Sequence, residues 1–72
     1  MDILVKHVLV KNGENKQEVY GHVGIQDGKI LGIWGGDERH LPVAKLNLEA
    51  YGKHFDLGAF QKRAGDPVSY LA

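Results

Sequence analysis

Hydrophobic and polar positions in this 72-residue chain alternate in short stretches, the pattern typical of β-strands. Residues 2–11, 18–26 and 29–34 are rich in valine, isoleucine and leucine, and each predicts a strand. The first stretch is mostly apolar on both faces, as in a strand that is covered on two sides. Strict alternation divides it between one face with Ile3, Val5, His7 and Leu9 and another with Leu4, Lys6, Val8 and Val10.

The Asp27-Gly28 pair joins the second and third stretches and gives the strongest short-range signal for a tight β-hairpin. Glycine adopts the positive φ that a primed turn requires, and aspartate can bond to its own nearby backbone. A two-residue turn places Ile25 opposite Ile30, yet alternation then sends Ile33 to the other face. Either both faces are covered, or a β-bulge near Leu31-Gly32 turns Ile33 toward the core.

The second half of the chain has weaker periodicity. Residues 12–17 and 35–42 are polar and rich in turn-forming residues and predict loops. Residues 43–51 predict a short strand, with one or two helical turns as the alternative. The pattern as a whole indicates a mainly β fold, a small antiparallel β-sandwich or open barrel built around the tight Asp27-Gly28 hairpin. The predicted core consists of Val5, Val8, Val10, Val23, Ile25, Ile30, Ile33 and Leu48.

Charge and composition exclude several classes of function. Nine basic and nine acidic side chains cancel without clustering, so neither nucleic acid nor a membrane surface is an expected partner. No apolar run is long enough to cross a bilayer, and the start resembles no signal peptide, so we expect a cytoplasmic protein. So short a chain without cysteine has little core and no disulfide, which favours association with a second copy or another domain.

Candidate catalytic residues show no motif at local spacing. Metal ligands usually occur at short fixed spacings, and no pair among the four histidines has such a spacing. The single serine, Ser69, lacks a nucleophile elbow. An independent small enzyme would need a histidine–carboxylate cluster that only the fold could assemble. The histidines are His7, His22, His40 and His54, and the carboxylates considered are Asp27, Asp37, Glu38, Asp56 and Asp66.

Three segments together resemble the opening of the amidohydrolase superfamily of metal-dependent hydrolases. Residues 2–10 resemble its strand "D-I-L-I-K-n-a-x-V", residues 22–35 its hairpin "d-V-x-I-x-D-G-K-I-x-x-I-G", and residues 46–53 its strand "x-x-x-I-D-A-x-G-K". The resemblance implies a β-sandwich that flanks a (β/α)8 barrel with a metal centre, usually zinc, for hydrolysis of carbon–nitrogen bonds. It covers residues 2–53, which we interpret as an amidohydrolase-like N-terminal β domain, with 54–72 as a divergent tail that docks on it or frays.

The chain departs from the family just after Lys53. Where the family has the metal-binding "H-x-H", this sequence has Arg63 and Gly65, which cannot ligate a metal at neutral pH, and the barrel is absent. No catalytic, cofactor-binding or metal-binding residue is therefore carried over, and zinc is implied only for a full-length family member. We expect a truncated or remnant β domain, inactive alone. The alternative is a free-standing β module that self-associates or binds a protein through the candidate interface residues Trp34, Phe55 and Phe60.

Overall fold

The central strand of the structure is β1 (Ile3–Asn12), and the other strands are arranged around it. In this computed structural model, which describes residues 1–12, 17–35, 38–63 and 65–72, the described strands form one open, mixed sheet in the order β3-β2-β1-β4, with β5 also paired to β1. The remaining elements are β2 (Gln17–Gln26), β3 (Lys29–Trp34), β4 (Leu46–Glu49), β5 (His54–Asp56), the helix α1 (Leu57–Arg63) and two 3-10 helices, Glu38–His40 and Pro67–Tyr70.

The two sides of β1 are paired differently. β2 runs antiparallel to β1 and to β3, whereas β4 and β5 lie on the other side of β1 and run parallel to it. The prediction of a mainly β fold is confirmed, but the prediction of a wholly antiparallel sheet is wrong. The reason is that β4 begins beside the start of β1, where Leu46 pairs with Ile3, and runs in the same direction.

A β-bulge at Lys6-His7 changes the faces of β1. The pairing of β1 with β2 shifts between Val5 and Val8, so two residues of β1 oppose His22 alone. His7 itself has a left-handed backbone conformation, with φ of 55°. Both Val5 and Val8 consequently belong to the core, although strict alternation predicts them on opposite faces. The faces predicted by strict alternation are therefore wrong for the residues of β1 that follow the bulge.

A second bulge lies in β3. The pairing of β2 with β3 shifts between Gly24 and Ile25, which leaves Leu31 as the extra residue of β3. Ile33 therefore lies opposite the buried Val23, as the bulge alternative predicted. Its side chain nevertheless stays 43% exposed, because no described strand covers the far side of β3. The prediction that Ile33 is a core residue is wrong for that reason.

The core combines the valine-rich face of the sheet with aromatic residues from the end of the chain. The rings of Phe55 and Phe60 are 5.5 Å apart, and Phe60 meets Tyr70 edge-on at 5.4 Å. α1 and the second 3-10 helix thus pack on Phe55 of β5 and cover this face of the sheet. The buried core residues are Val5, Val8, Val10, Val23, Ile25, Ala50, Phe55 and Phe60, and the partly buried residues packed on them include Ile30 and Leu48.

Candidate functional site

The β1 bulge brings a histidine and a glutamate together. Nδ1 of His7 lies 2.7 and 2.8 Å from the two carboxylate oxygens of Glu49 on β4. Because an ionised carboxylate only accepts hydrogen bonds, Nδ1 of His7 carries a hydrogen and is the hydrogen-bond donor in this contact. Both side chains are about one-third exposed, so the pair lies at the surface of the sheet. Forty-two residues separate the two in sequence, so no local motif could reveal their contact.

His22, on β2, holds the bulge from the other side. It is completely buried, and its Nδ1 accepts a hydrogen bond of 3.1 Å from the backbone N–H of His7. The two rings meet edge-to-face, with their centroids 5.1 Å apart. Since Nδ1 accepts a hydrogen bond, the ring of His22 is neutral and its proton resides on Nε2. The bulge residue is therefore fixed both through its backbone and through its side chain.

The chain between β4 and β5 follows the contour of the bulge. The N–H groups of Ala50 and Gly52 donate to the carbonyls of Lys6 and His7, at 2.9 and 2.8 Å. Tyr51 and Gly52 both have positive φ, 53° and 78°, so this segment turns outward where β1 bulges. The turn satisfies the backbone of the bulge and keeps Glu49 next to His7.

The electrostatics of the pair follow from this geometry. The hydrogen bond from His7 is the largest influence on Glu49 and lowers the pKa of its carboxyl group below 4.5. Smaller contributions in the same direction come from the Tyr51 N–H and from the positive charges of His7 and Lys6, while desolvation opposes them. Glu49 is thus ionised at neutral pH and orients the imidazole of His7.

A second histidine–carboxylate contact spans the central strand. Nε2 of His54 on β5 lies 3.2 Å from a carboxylate oxygen of Glu18 on β2. His54 and Tyr20 both pair with Leu9, so they flank β1 at the same level. Both side chains are more than 40% exposed, which makes this a solvated surface contact with little effect on stability.

These contacts set the chemistry that the surface can perform. An oriented imidazole can accept a proton, which is one component of acid–base or nucleophilic catalysis. The chain has no cysteine, and its one serine, Ser69, lies in the 3-10 helix that packs on the core. In the part of the chain that the structure describes, no group of three or more histidine, aspartate or glutamate residues could hold a metal ion. The fold thus brings His7 and Glu49 together, and among the described residues they belong to no cluster that could hold a metal ion.

The residues singled out from sequence lie in different places. Asp27 and Gly28 form the turn between β2 and β3, with φ of 53° and 75°, and the Asp27 N–H donates to the Asp2 carboxylate at 2.9 Å. Phe55 and Phe60 are buried in the core and present no surface in this chain. Asp56, Asp66 and His40 join neither histidine pair, whereas Asp37 and the side chain of Glu38 lie outside the described part of the structure.

Trp34 packs on the face of the sheet opposite the core. A Cβ added at Gly24 would come within 2.6 Å of its indole ring and 2.8 Å of the Met1 sulfur, and one at Gly32 within 3.2 Å of the ring. The two glycines therefore make room for the indole, which lies against them. The absence of a side chain at Gly24 and Gly32 is therefore explained by the indole ring that covers them.

The outer side of β3 is the most apolar open edge of the sheet. Leu31 is 54% exposed, and no strand in the described ranges pairs with β3 opposite β2. By contrast, β5 is capped, because His54 and Ala72 exchange two backbone hydrogen bonds of 2.8 and 2.9 Å. The sequence predicted neither this capping nor the His7–Glu49 contact, since both join distant segments.

Comparisons of the chain with protein-family profiles, with curated proteins and with solved structures found no match. Across the described ranges, none of the helices combines the length and apolar character that a membrane span requires.

Proposed function

We propose that this chain is a non-catalytic β module that joins another polypeptide by accepting a strand at the outer side of β3. The observation that carries the proposal is the exposure of Leu31 and Ile33 on a strand with no described neighbour on that side. An edge strand offers a row of backbone donors and acceptors, to which an extended segment can add with main-chain hydrogen bonds. Apolar side chains along the edge add buried area to those bonds.

The choice of β3 follows from comparison with the other edges. β4 has only four residues, and its Glu49 is a charged residue already bound to His7. β5 has its outer side occupied by the last residues of the chain. β3 has six residues and a single charge, Lys29, at its first position. A short strand and charged side chains both discourage pairing at an edge. Of β3, β4 and β5, β3 is the longest and has the smallest proportion of charged residues.

The resemblance of the sequence to amidohydrolases also supports the proposal. Residues 2–53 resemble the opening of amidohydrolases, in which such a segment is one part of a larger β-sandwich. Under this proposal the chain retains the role of a β domain that completes its fold with another segment. Arg63 and Gly65 replace the metal-binding histidines of that family, which supports a role without catalysis.

A strand-addition experiment tests the proposal. The ¹⁵N-labelled chain is titrated with a capped six-residue peptide of alternating threonine and valine, while amide chemical shifts are followed by NMR. We expect the shifts to change along residues 29–34 and to leave β5 unaffected. A matched peptide with proline at alternate positions lacks the N–H donors of a strand and should produce no such change. The titration is run at chain concentrations at which the measured molar mass is that of a monomer, so that the β3 edge is open. Shift changes elsewhere, or none with either peptide, then contradict the proposal.

A second experiment tests the proposal that the chain is not catalytic. The purified chain with added zinc is assayed on amide, cyclic imide and aminopurine substrates, which represent the reactions of the resembling family. We expect no turnover above that of zinc alone. Turnover that is lost in the His7→Gln variant would assign catalysis to the His7–Glu49 pair and overturn the proposal.

A further inference from the structure

We propose that the strand which adds to β3 is β3 of a second copy of this chain, in antiparallel orientation. In this arrangement Ile30 of one copy lies opposite the partner's Ile33, and Lys29 lies opposite the partner's Trp34. The inference rests on the proposed function, because it names the occupant of the same edge.

The bulge makes β3 self-complementary. Ile30 pairs with Ile25 and Ile33 pairs with Val23, so both isoleucines lie on the core side although they are three residues apart. In a regular strand, residues three apart point to opposite faces. Here the extra residue Leu31 restores them to one face.

Only one two-fold register uses the full strand and matches its faces. An axis between Leu31 and Gly32 pairs all six residues of β3, and it places Ile30 opposite the partner's Ile33 on the core side. An axis shifted by half a residue would pair Ile30 with a residue on the other face. The bulge therefore selects the register, since side chains that face each other across strands must share a face.

The position of the charged residue in β3 favours the same register. Lys29 is the only charged residue of β3, and the two-fold axis places the two lysines at opposite ends of the paired strands. Each ammonium group then lies beside the partner's Trp34, on the face opposite the core, where a cation–π contact is favourable. The chain as a whole has a formal net charge of zero, so no long-range repulsion opposes the approach of two copies.

Disulfide trapping tests the register directly, because the chain contains no cysteine of its own. With strands about 4.8 Å apart and a rise of about 3.4 Å per residue, the Leu31 Cα atoms of the two copies lie about 6 Å apart. The Ile33 Cα atoms lie about 11 Å apart by the same geometry. A disulfide needs a Cα separation of about 4.4–6.8 Å, so Leu31→Cys should form one and Ile33→Cys should not.

The experiment compares oxidation rates of Leu31→Cys, Ile33→Cys and Val43→Cys, together with the molar mass of the wild-type chain against concentration. Val43 is 88% exposed, so its variant measures cross-linking by random collision. We expect mass to rise with concentration and Leu31→Cys to cross-link at least about tenfold faster than either other variant, since only its geometry permits a disulfide.

Two results would overturn the inference. One is a dimer in which Ile33→Cys or Val43→Cys cross-links as fast as Leu31→Cys, because the copies would then meet in another register or on another surface. The other is a wild-type chain that stays monomeric at every concentration. In both cases the peptide titration separately decides whether the β3 edge accepts a strand, so failure of the homodimer is distinguishable from failure of the proposed function.

Discussion

The backbone N–H of His7 donates a hydrogen bond to Nδ1 of the fully buried His22, 3.1 Å away. The contact joins the bulged residue of β1 to the single residue of β2 that opposes it. A bulge leaves part of the strand ladder unpaired, and here a side chain replaces the missing backbone acceptor. The buried position of His22 is therefore explained by a structural role, since its ring stabilises the bulge of β1.

The first prediction concerns this hydrogen bond. His22→Leu removes the acceptor and leaves the His7 N–H inside the protein without its ring partner, which costs about 1–3 kcal/mol of unfolding free energy. Urea unfolding followed by circular dichroism measures the loss. His40→Leu, at an exposed position, is the control and should change stability by less than about 0.5 kcal/mol. Equal effects of the two substitutions would show that the His22 contact is unimportant.

The second prediction concerns pH. The hydrogen bond from His7 lowers the pKa of Glu49 from 4.5 in the folded chain. Ionised Glu49 therefore contributes stability above pH 4.5, and that contribution is lost as the pH falls through the lowered pKa. NMR titration of the side-chain carboxyl carbon should give a value below 4.5 in the wild type, and one closer to 4.5 in His7→Gln.

The control for this titration is His54→Gln, which breaks the other histidine–carboxylate pair. It should leave the titration of Glu49 unchanged, since His54 is bound to Glu18. If His7→Gln and His54→Gln shift Glu49 equally, the specific hydrogen bond is not the cause.

The third prediction concerns Gly21. An added Cβ there would overlap the carbonyl oxygen of Trp34, a backbone atom that cannot move without displacing the end of β3. We expect Gly21→Ala to lower the unfolding free energy by about 1–3 kcal/mol, as overpacking generally does. Gly35→Ala meets no atom within 4 Å and should change stability by less than about 0.5 kcal/mol. Similar thermal midpoints for both variants would exclude the close approach.

The fourth prediction tests the packing of the chain's final part. Phe60 on α1 is 1% exposed and contacts the rings of Phe55 and Tyr70. Phe60→Ala should reduce the unfolding free energy by about 3–5 kcal/mol because it creates a cavity in the core. Lys62→Ala, exposed on the same helix, should have an effect below about 0.5 kcal/mol. A loss below about 1 kcal/mol for Phe60→Ala would mean that α1 does not stabilise the sheet.

The sequence pattern predicted the first three strands and most of the core, because alternation and the Asp27-Gly28 turn are local signals. It did not predict the bulge at Lys6-His7, since the residues that stabilise it lie on β2 and β4. One unpredicted bulge was enough to reverse the faces of half of β1. The parallel placement of β4 also depends on a long crossover that has no local signature.

The candidate site was less predictable for the same physical reason. His7 and Glu49 are 42 residues apart and meet only because β1 and β4 are neighbours in the sheet. The aromatic residues chosen for their size as interface candidates divide between core and surface. Phe55 completes the core, whereas Trp34 lies against two glycines of its own sheet.

The central claim is that the outer side of β3 accepts a strand, and a peptide titration of three variants tests it most directly. The alternating threonine–valine peptide is titrated into the wild-type chain, Leu31→Lys and Val43→Lys, and residues 29–34 are monitored by NMR. Lysine at an edge discourages strand pairing, so Leu31→Lys should bind several-fold more weakly, about 1 kcal/mol or more, while Val43→Lys binds like the wild type. Equal binding by all three chains, or no change at residues 29–34 in the wild type, would contradict the account.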